Sequence, residues 1–143
     1  MKSHEVSIYR EIQRNTEMAM KAIDTISDKV HDNQLAMQIS RQSLKYSEIR
    51  NQAVENLLQA KAEPYHGNHL EDIRLKGGIH YDTLLNTSTG RIAEVMIKNS
   101  NTGITQINKA LNHNENAGEK PITLAKLLLD TEEKNIKNLK KYL

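Results

Sequence analysis

His66 and His69 stand three residues apart, Glu63 precedes His66 by the same spacing, and His80 follows further on. Side chains three apart share one face of a helix, so such a pair can offer two ligands to one divalent ion. Gly67 lies inside the histidine pair and weakens the turn it requires, while Pro64 interrupts Glu63–His66. Glu63–His66 is nevertheless the one Glu-x-x-His in the sequence. A dinuclear metal centre inside a helical bundle draws on two such pairs, carried on helices, with further inward carboxylates.

The carboxylates fit that chemistry in part. Glu132 falls on an apolar stripe, one turn before Ile136, but the residue three further on is Asn135. Glu48 is followed at that spacing by Asn51 and projects away from its helix's apolar face. Glu11 flanks a face that carries Asn15, and Glu94 projects off its own. Two readings stay open for Glu132: a carboxyl at the core edge, bonded by Tyr46, Arg50, Asn15 or a lysine, or a contact to a metal or ligand. In the metal reading, Fe, Mn or Zn is held by Glu132, Glu11 and Glu48 with His66, His69 and His80. No glycine-rich phosphate loop, nucleophile elbow or zinc-protease motif is present, and no catalytic residue is assigned.

These residues sit on long helices. From Met1 to Glu63 the chain has neither glycine nor proline and is rich in good helix formers. Ile8, Ile12, Ala19, Ala22, Ile23, Ile26 and Val30 cluster on one side of a first helix, from Ser3 or His4 to Val30. The polar stretch from His31 to Gln34 predicts a tight connection, with Asp32 or Asn33 capping the next helix. That second helix, Gln34 to Ala62, carries Leu35, Ile39, Tyr46, Ile49, Ala53, Leu57 and Ala60 on its main apolar face and shows a sparser stripe of Met37 and Leu44 on its far side.

Pro64 to Gly78 predicts an interruption with a short helical piece, capped by Asn68 and stopped at Gly77-Gly78. A third helical region then spans Ile79 to about Asn112, with Gly90 and Gly103 inside it, and the sequence leaves open whether it is continuous or broken near Asn99 to Gly103. Pro121 suits the first turn of a last helix reaching Leu143, whose final turns carry Lys134, Lys137, Lys140 and Lys141, where cations complement the helix dipole. The sum is an all-α, up-and-down four-helix bundle in one domain, residues 1–143, interrupted near 64–78.

Composition narrows the class further. Without Phe or Trp, and with apolar residues at 37%, the core rests on aliphatic side chains, and self-association that buries more surface is expected. Met37 and Leu44 are open to two readings, apolar residues scattered on the surface or packed on other neighbours of the helical hairpin, or a stripe offered to a second copy. Basic and acidic residues, 20 and 18, are interspersed without aromatic platforms, which argues against a nucleic-acid partner. Absence of cysteine, of an apolar leader and of a membrane-length apolar run points to a cytoplasmic protein without a membrane partner.

Ser40 to Ile49 (SRQSLKYSEI), Lys61 to Tyr65 (KAEPY), Lys76 to Asn86 (KGGIHYDTLLN) and Asp130 to Leu143 resemble a family of small ferritin-like helical proteins. The resemblance implies a ferritin-like bundle, related to spore-coat-like and rubrerythrin-like proteins, and it extends over most of the chain. Di-iron relatives use helical Glu-x-x-His pairs, which this chain lacks. The expectation is therefore a non-catalytic bundle with a structural or protein-interaction role and no cofactor; the alternative is a metal-binding protein or oxidoreductase with a non-standard carboxylate and histidine site.

Overall fold

A computed structural model of the chain describes residues 2–143. They form five α-helices: α1 Ser3–Ile26, α2 Asn33–Gln59, α3 His69–Asp82, α4 Thr89–His113 and α5 Glu119–Leu139. Single turns of 3-10 helix, Ser27–Lys29 and Lys140–Tyr142, extend α1 and α5. The described residues contain no strand, and no helix among them is long and apolar enough to cross a membrane.

Local chemistry sets most helix starts. The Asp32 carboxylate accepts from the Leu35 amide at 2.8 Å and opens α2. Asn68 accepts from the amides of Leu70 and Glu71 to open α3, and Ser88 accepts from Arg91 to open α4. At α5 the cap comes from another helix, because the Gly118 amide donates to Glu5 on α1 at 3.3 Å. Each partner satisfies an amide that the helix itself leaves without an acceptor.

α1 is the hub. Glu17 pairs with Arg50 of α2 at 2.9 Å. Arg14 donates to Gln106 of α4 at 3.3 Å, and His4 meets Asn114 at 3.1 Å, so α1 and α4 run in opposite directions. Tyr9 and Asn56 border one groove while Glu17 and Arg50 pair further along, so α2 also opposes α1. α2 and α4 therefore run the same way. An up-and-down course would have made them antiparallel neighbours, and that expectation is corrected. The stretch expected to be an interruption is a return path along α1: Arg10 donates to the Glu63 carbonyl at 2.7 Å, Gln13 and Tyr65 exchange bonds of 3.0 and 2.8 Å, and Lys21 reaches Asp72 at 2.8 Å.

α3 corrects a second expectation. It does not stop at Gly77-Gly78 but runs through both to Asp82, and no glycine here has positive φ. Two glycines in a helix interior cost about 0.5–1 kcal/mol each relative to alanine. Burial of Ile79, 2% exposed, offsets that cost with roughly 1.5–3 kcal/mol. Ile79 to Asp82 thus belong to α3 rather than to the next helix, and α4 passes through residues 99–103 without a break. The core is aliphatic, with Ile12, Leu35, Ile49, Leu57 and Leu139 essentially inaccessible, while Met37 and Leu44 remain exposed on α2.

Arg14 anchors α3 by donating to Glu71 at 2.7 and 3.4 Å, and Tyr65 donates to the same carboxylate at 2.9 Å. The Arg14 bonds hold the Glu71 carboxyl below its ordinary range, against the opposing effect of its partial burial. Arg14→Ala should cost α3 about 1 kcal/mol, a typical share for a charge-assisted bond that is partly exposed. Hydrogen exchange should then quicken across residues 69–82 and leave the central amides of α1 and α2 protected as before.

A carboxyl closing an apolar pocket

Glu132 is 4% exposed, on the face of α5 that meets α2 and α4. Tyr46 of α2 donates its phenol hydrogen to Glu132 Oε1, and Ser100 of α4 donates to the same oxygen at 3.4 Å. Asn135, one turn along α5, donates to the Tyr46 hydroxyl at 3.0 Å. Three helices therefore converge on one carboxyl. Burial pushes its pKa up to about 7, and the bonds from Tyr46, Ser100 and Asn135 only partly oppose the shift. The Tyr46 phenol is driven far above its ordinary range, first by burial and then by the adjacent carboxyl.

Oε2 turns toward Gly103 and Asn15. A Cβ on Gly103 would stand 2.7 Å from Oε2 and 3.7 Å from Asn15 Oδ1, so the absence of a side chain there makes room for both oxygens. Asn15 spends its amide hydrogens on Glu11, donating to the backbone carbonyl at 3.0 Å and to Oε1 at 2.8 Å. Its oxygen is thereby left facing the cavity side. Two acceptors, Glu132 Oε2 and Asn15 Oδ1, lie against the same glycine.

They border a cavity of about 100 Å³ between α1, α4 and α5. Ala19, Ala22, Ile23 and Met18 of α1, Met96 of α4 and Leu75 of α3 supply its apolar walls. Asn99, Thr102 and Gln106 complete its lining, and no lining residue is basic. An apolar cleft with a few convergent polar groups and a titrating carboxyl has the usual make-up of a small-molecule site.

The other sequence candidates lie elsewhere. Glu11 is half-buried on α1, bound to Arg14 at 2.9 Å and to Asn15. Glu48 is exposed on α2, 3.6 Å from Lys45. His66 is exposed beside Glu63 at 2.9 Å, in the segment before α3, while His69 is the first residue of that helix. Their spacing of three consequently does not fall within one helix, and the turn that Gly67 weakens is not helical. His80 is exposed on α3. Among the described residues, no three His, Asp or Glu are placed to hold one metal ion.

Of the partners anticipated for Glu132, Tyr46 bonds it and Asn15 lies close, whereas Arg50 turns away to Glu17. Ser100 and Gly103 were not foreseen as its neighbours. Their spacing of three, which puts a small hydroxyl and a gap on one face of α4, is the signal that could have drawn attention to them.

Between pH 4.5, the ordinary carboxyl value, and about 7 the folded chain holds a proton on Glu132 that the unfolded chain has released. This contribution to stability is complete below pH 4.5 and is lost as pH rises to 7, above which the buried carboxylate costs roughly 3 kcal/mol. Glu132→Gln keeps the two acceptor bonds without the charge. Urea denaturation should show the variant more stable than the parent at pH 8, with the gap narrowing toward pH 5. Gly103→Ala should cost about 1–3 kcal/mol, because the new methyl displaces a carboxyl held by two helices. The same denaturation measurement checks it.

No family model, curated protein or solved structure matches this chain, so the reading of its chemistry rests on its own side chains.

Proposed function

We propose that this chain is a non-catalytic binding protein built as a ferritin-like four-helix bundle, and that the pocket beside Glu132 takes a small aliphatic amine. The ferritin-like part is supported by the course of the chain. Four long helices joined by one long return between α2 and α4 is the connectivity of such bundles, as distinct from the short loops of an up-and-down bundle.

The binding part rests on a single observation: Glu132 Oε2 and Asn15 Oδ1 converge at Gly103 in a pocket that has no basic side chain. Acceptors with one potential negative charge call for a ligand that brings hydrogens and a positive charge. The alanine, isoleucine and methionine walls call for a short hydrocarbon body behind it. A cavity of about 100 Å³ restricts that body to a few carbons. A metal role draws less support, because Glu132 has no second carboxylate or histidine among its hydrogen-bonding partners.

Binding an ammonium group requires the ionised carboxyl, so affinity should follow the titration of Glu132. Calorimetry with n-butylamine should give a dissociation constant on the order of millimolar at pH 8, about tenfold weaker at pH 6. n-Butanol should not compete, and Glu132→Gln should abolish binding. Equal binding of the alcohol, or an affinity independent of pH, would rule the amine site out.

A further inference from the structure

We propose that the outward face of α3 is a docking site for an acidic amphipathic helix of a partner protein. Leu70, Ile73 and Tyr81 are 53%, 54% and 80% exposed, and Leu84 and Leu85, just beyond the end of the helix, are exposed as well. At 100° per residue, Leu70, Ile73 and Tyr81 fall within one narrow arc around Gly77. Leu75 and Ile79 point the opposite way, into the body of the protein. α3 is thus apolar on both faces, and only one of them is covered.

The two glycines fit a close external contact. Nothing lies within 4 Å of where a Cβ would stand on Gly77 or Gly78, so packing inside the chain does not account for either. They leave a notch in the middle of the stripe, with large side chains at both ends. A helix crossing there can bring its backbone close while Leu70, Ile73 and Tyr81 grip its sides, as small residues permit between packed helices. A lipid surface would gain nothing from a notch at the centre of the apolar face, where a bulky side chain would insert more deeply.

Charge selects the partner. The three carboxylates of α3 are turned toward the body: Glu71 to Arg14 at 2.7 Å, Asp72 to Lys21 at 2.8 Å and Asp82 to Lys98 at 3.1 Å. Arg74, Lys76, His69 and His80 are all exposed, and among the described residues Arg74 and Lys76 make no ion pair. The outward face is therefore apolar with a cationic rim. A second copy docked across Gly77 would set Arg74 against the matching cationic rim, whereas an apolar helix flanked by glutamates would complement it.

The test uses the full chain and two labelled helical peptides that share one leucine stripe, flanked in one by glutamates and in the other by lysines. Fluorescence anisotropy should show the glutamate peptide binding at least about tenfold more tightly, with the preference fading at high salt. The double variant Arg74→Glu, Lys76→Glu should reverse the preference. Gly77→Ala should raise the melting temperature, since the helix gains a better residue in open space, yet weaken the glutamate peptide about tenfold. That pair of opposite effects separates docking from misfolding. Equal binding of the two peptides, or binding of neither, overturns the proposal. So does a concentration-dependent dimer abolished by Ile73→Glu, which would make the occupant a second copy. Tighter association with phosphatidylserine vesicles than with the glutamate peptide would overturn it in favour of a membrane surface.

Discussion

α2 leaves the chain near the end of the molecule where α1 began, with Gln59 and Glu5 bordering one groove, while α4 has to start at the other end. The whole return journey is made over the surface of α1, and an exposed strap of about thirty residues would otherwise lose its ordering entropy without recompense. Polar side chains of α1 supply most of the fixings in sequence order: Arg10, Gln13, Arg14 and Lys21 take hold of Glu63, Tyr65, Glu71 and Asp72. α1 therefore has two different jobs around its circumference. One side is aliphatic and packs on α2, α4 and α5; the other is a row of hydrogen-bonding groups that fastens the crossover. This division explains why Gln13 is 2% exposed and yet polar, since its amide exchanges bonds with the backbone of Tyr65.

Much of the helical framework was legible from periodicity because α1, α2 and α5 each show a stripe of aliphatic residues at helical spacing and flanks of good helix formers. Asp32 and Asn68 could be read as caps for the same reason, being short acceptors just ahead of a helix. What escaped was decided by partners on other elements. Gly77-Gly78 looked like a stop because glycine weakens an isolated helix, but the burial of Ile79 against the body carries α3 onward. Ile92, Val95 and Met96 of α4 are buried as well as Ser100 and Ile107, because this helix packs on both α1 and α5. Glu132 could be singled out since it interrupts an apolar stripe. Of its surroundings, Tyr46 and Asn15 could be named as polar groups on neighbouring apolar faces, whereas Ser100 and Gly103 could not be set opposite it, because which turn of α4 faces Glu132 is fixed by helix crossing.

A core without phenylalanine or tryptophan also shapes the pocket. Aliphatic side chains on nearly parallel rods fill the seams well where they are branched and long. Between α1 and α4 the seam is lined instead by Ala19, Ala22 and Gly103, and space remains. Tyr46 is the one large ring at that level, and its hydroxyl is committed to Glu132. The buried acid is thus both the reason the ring is held and the group most sensitive to what occupies the adjoining space. Gln42 shows the other side of this economy: it is 2% exposed between α2 and α5, and neither of its amide atoms has a partner. Its two unpartnered atoms contrast with the Glu132 oxygen that both Tyr46 and Ser100 engage.

One guanidinium ties the two outward-looking features together. Arg14 donates to Gln106, which lines the pocket, and to Glu71, which holds α3 in place, while Glu11 shares it and also grips Asn15. A molecule in the pocket that drew Gln106 or Asn15 into new bonds would compete with Arg14 and Glu11 for them. By thermodynamic reciprocity, any effect of one occupant on the other must be returned in equal measure. The strap that brings the chain back to the start of α4 is in that sense also a lever, with its fulcrum at a single side chain of the first helix.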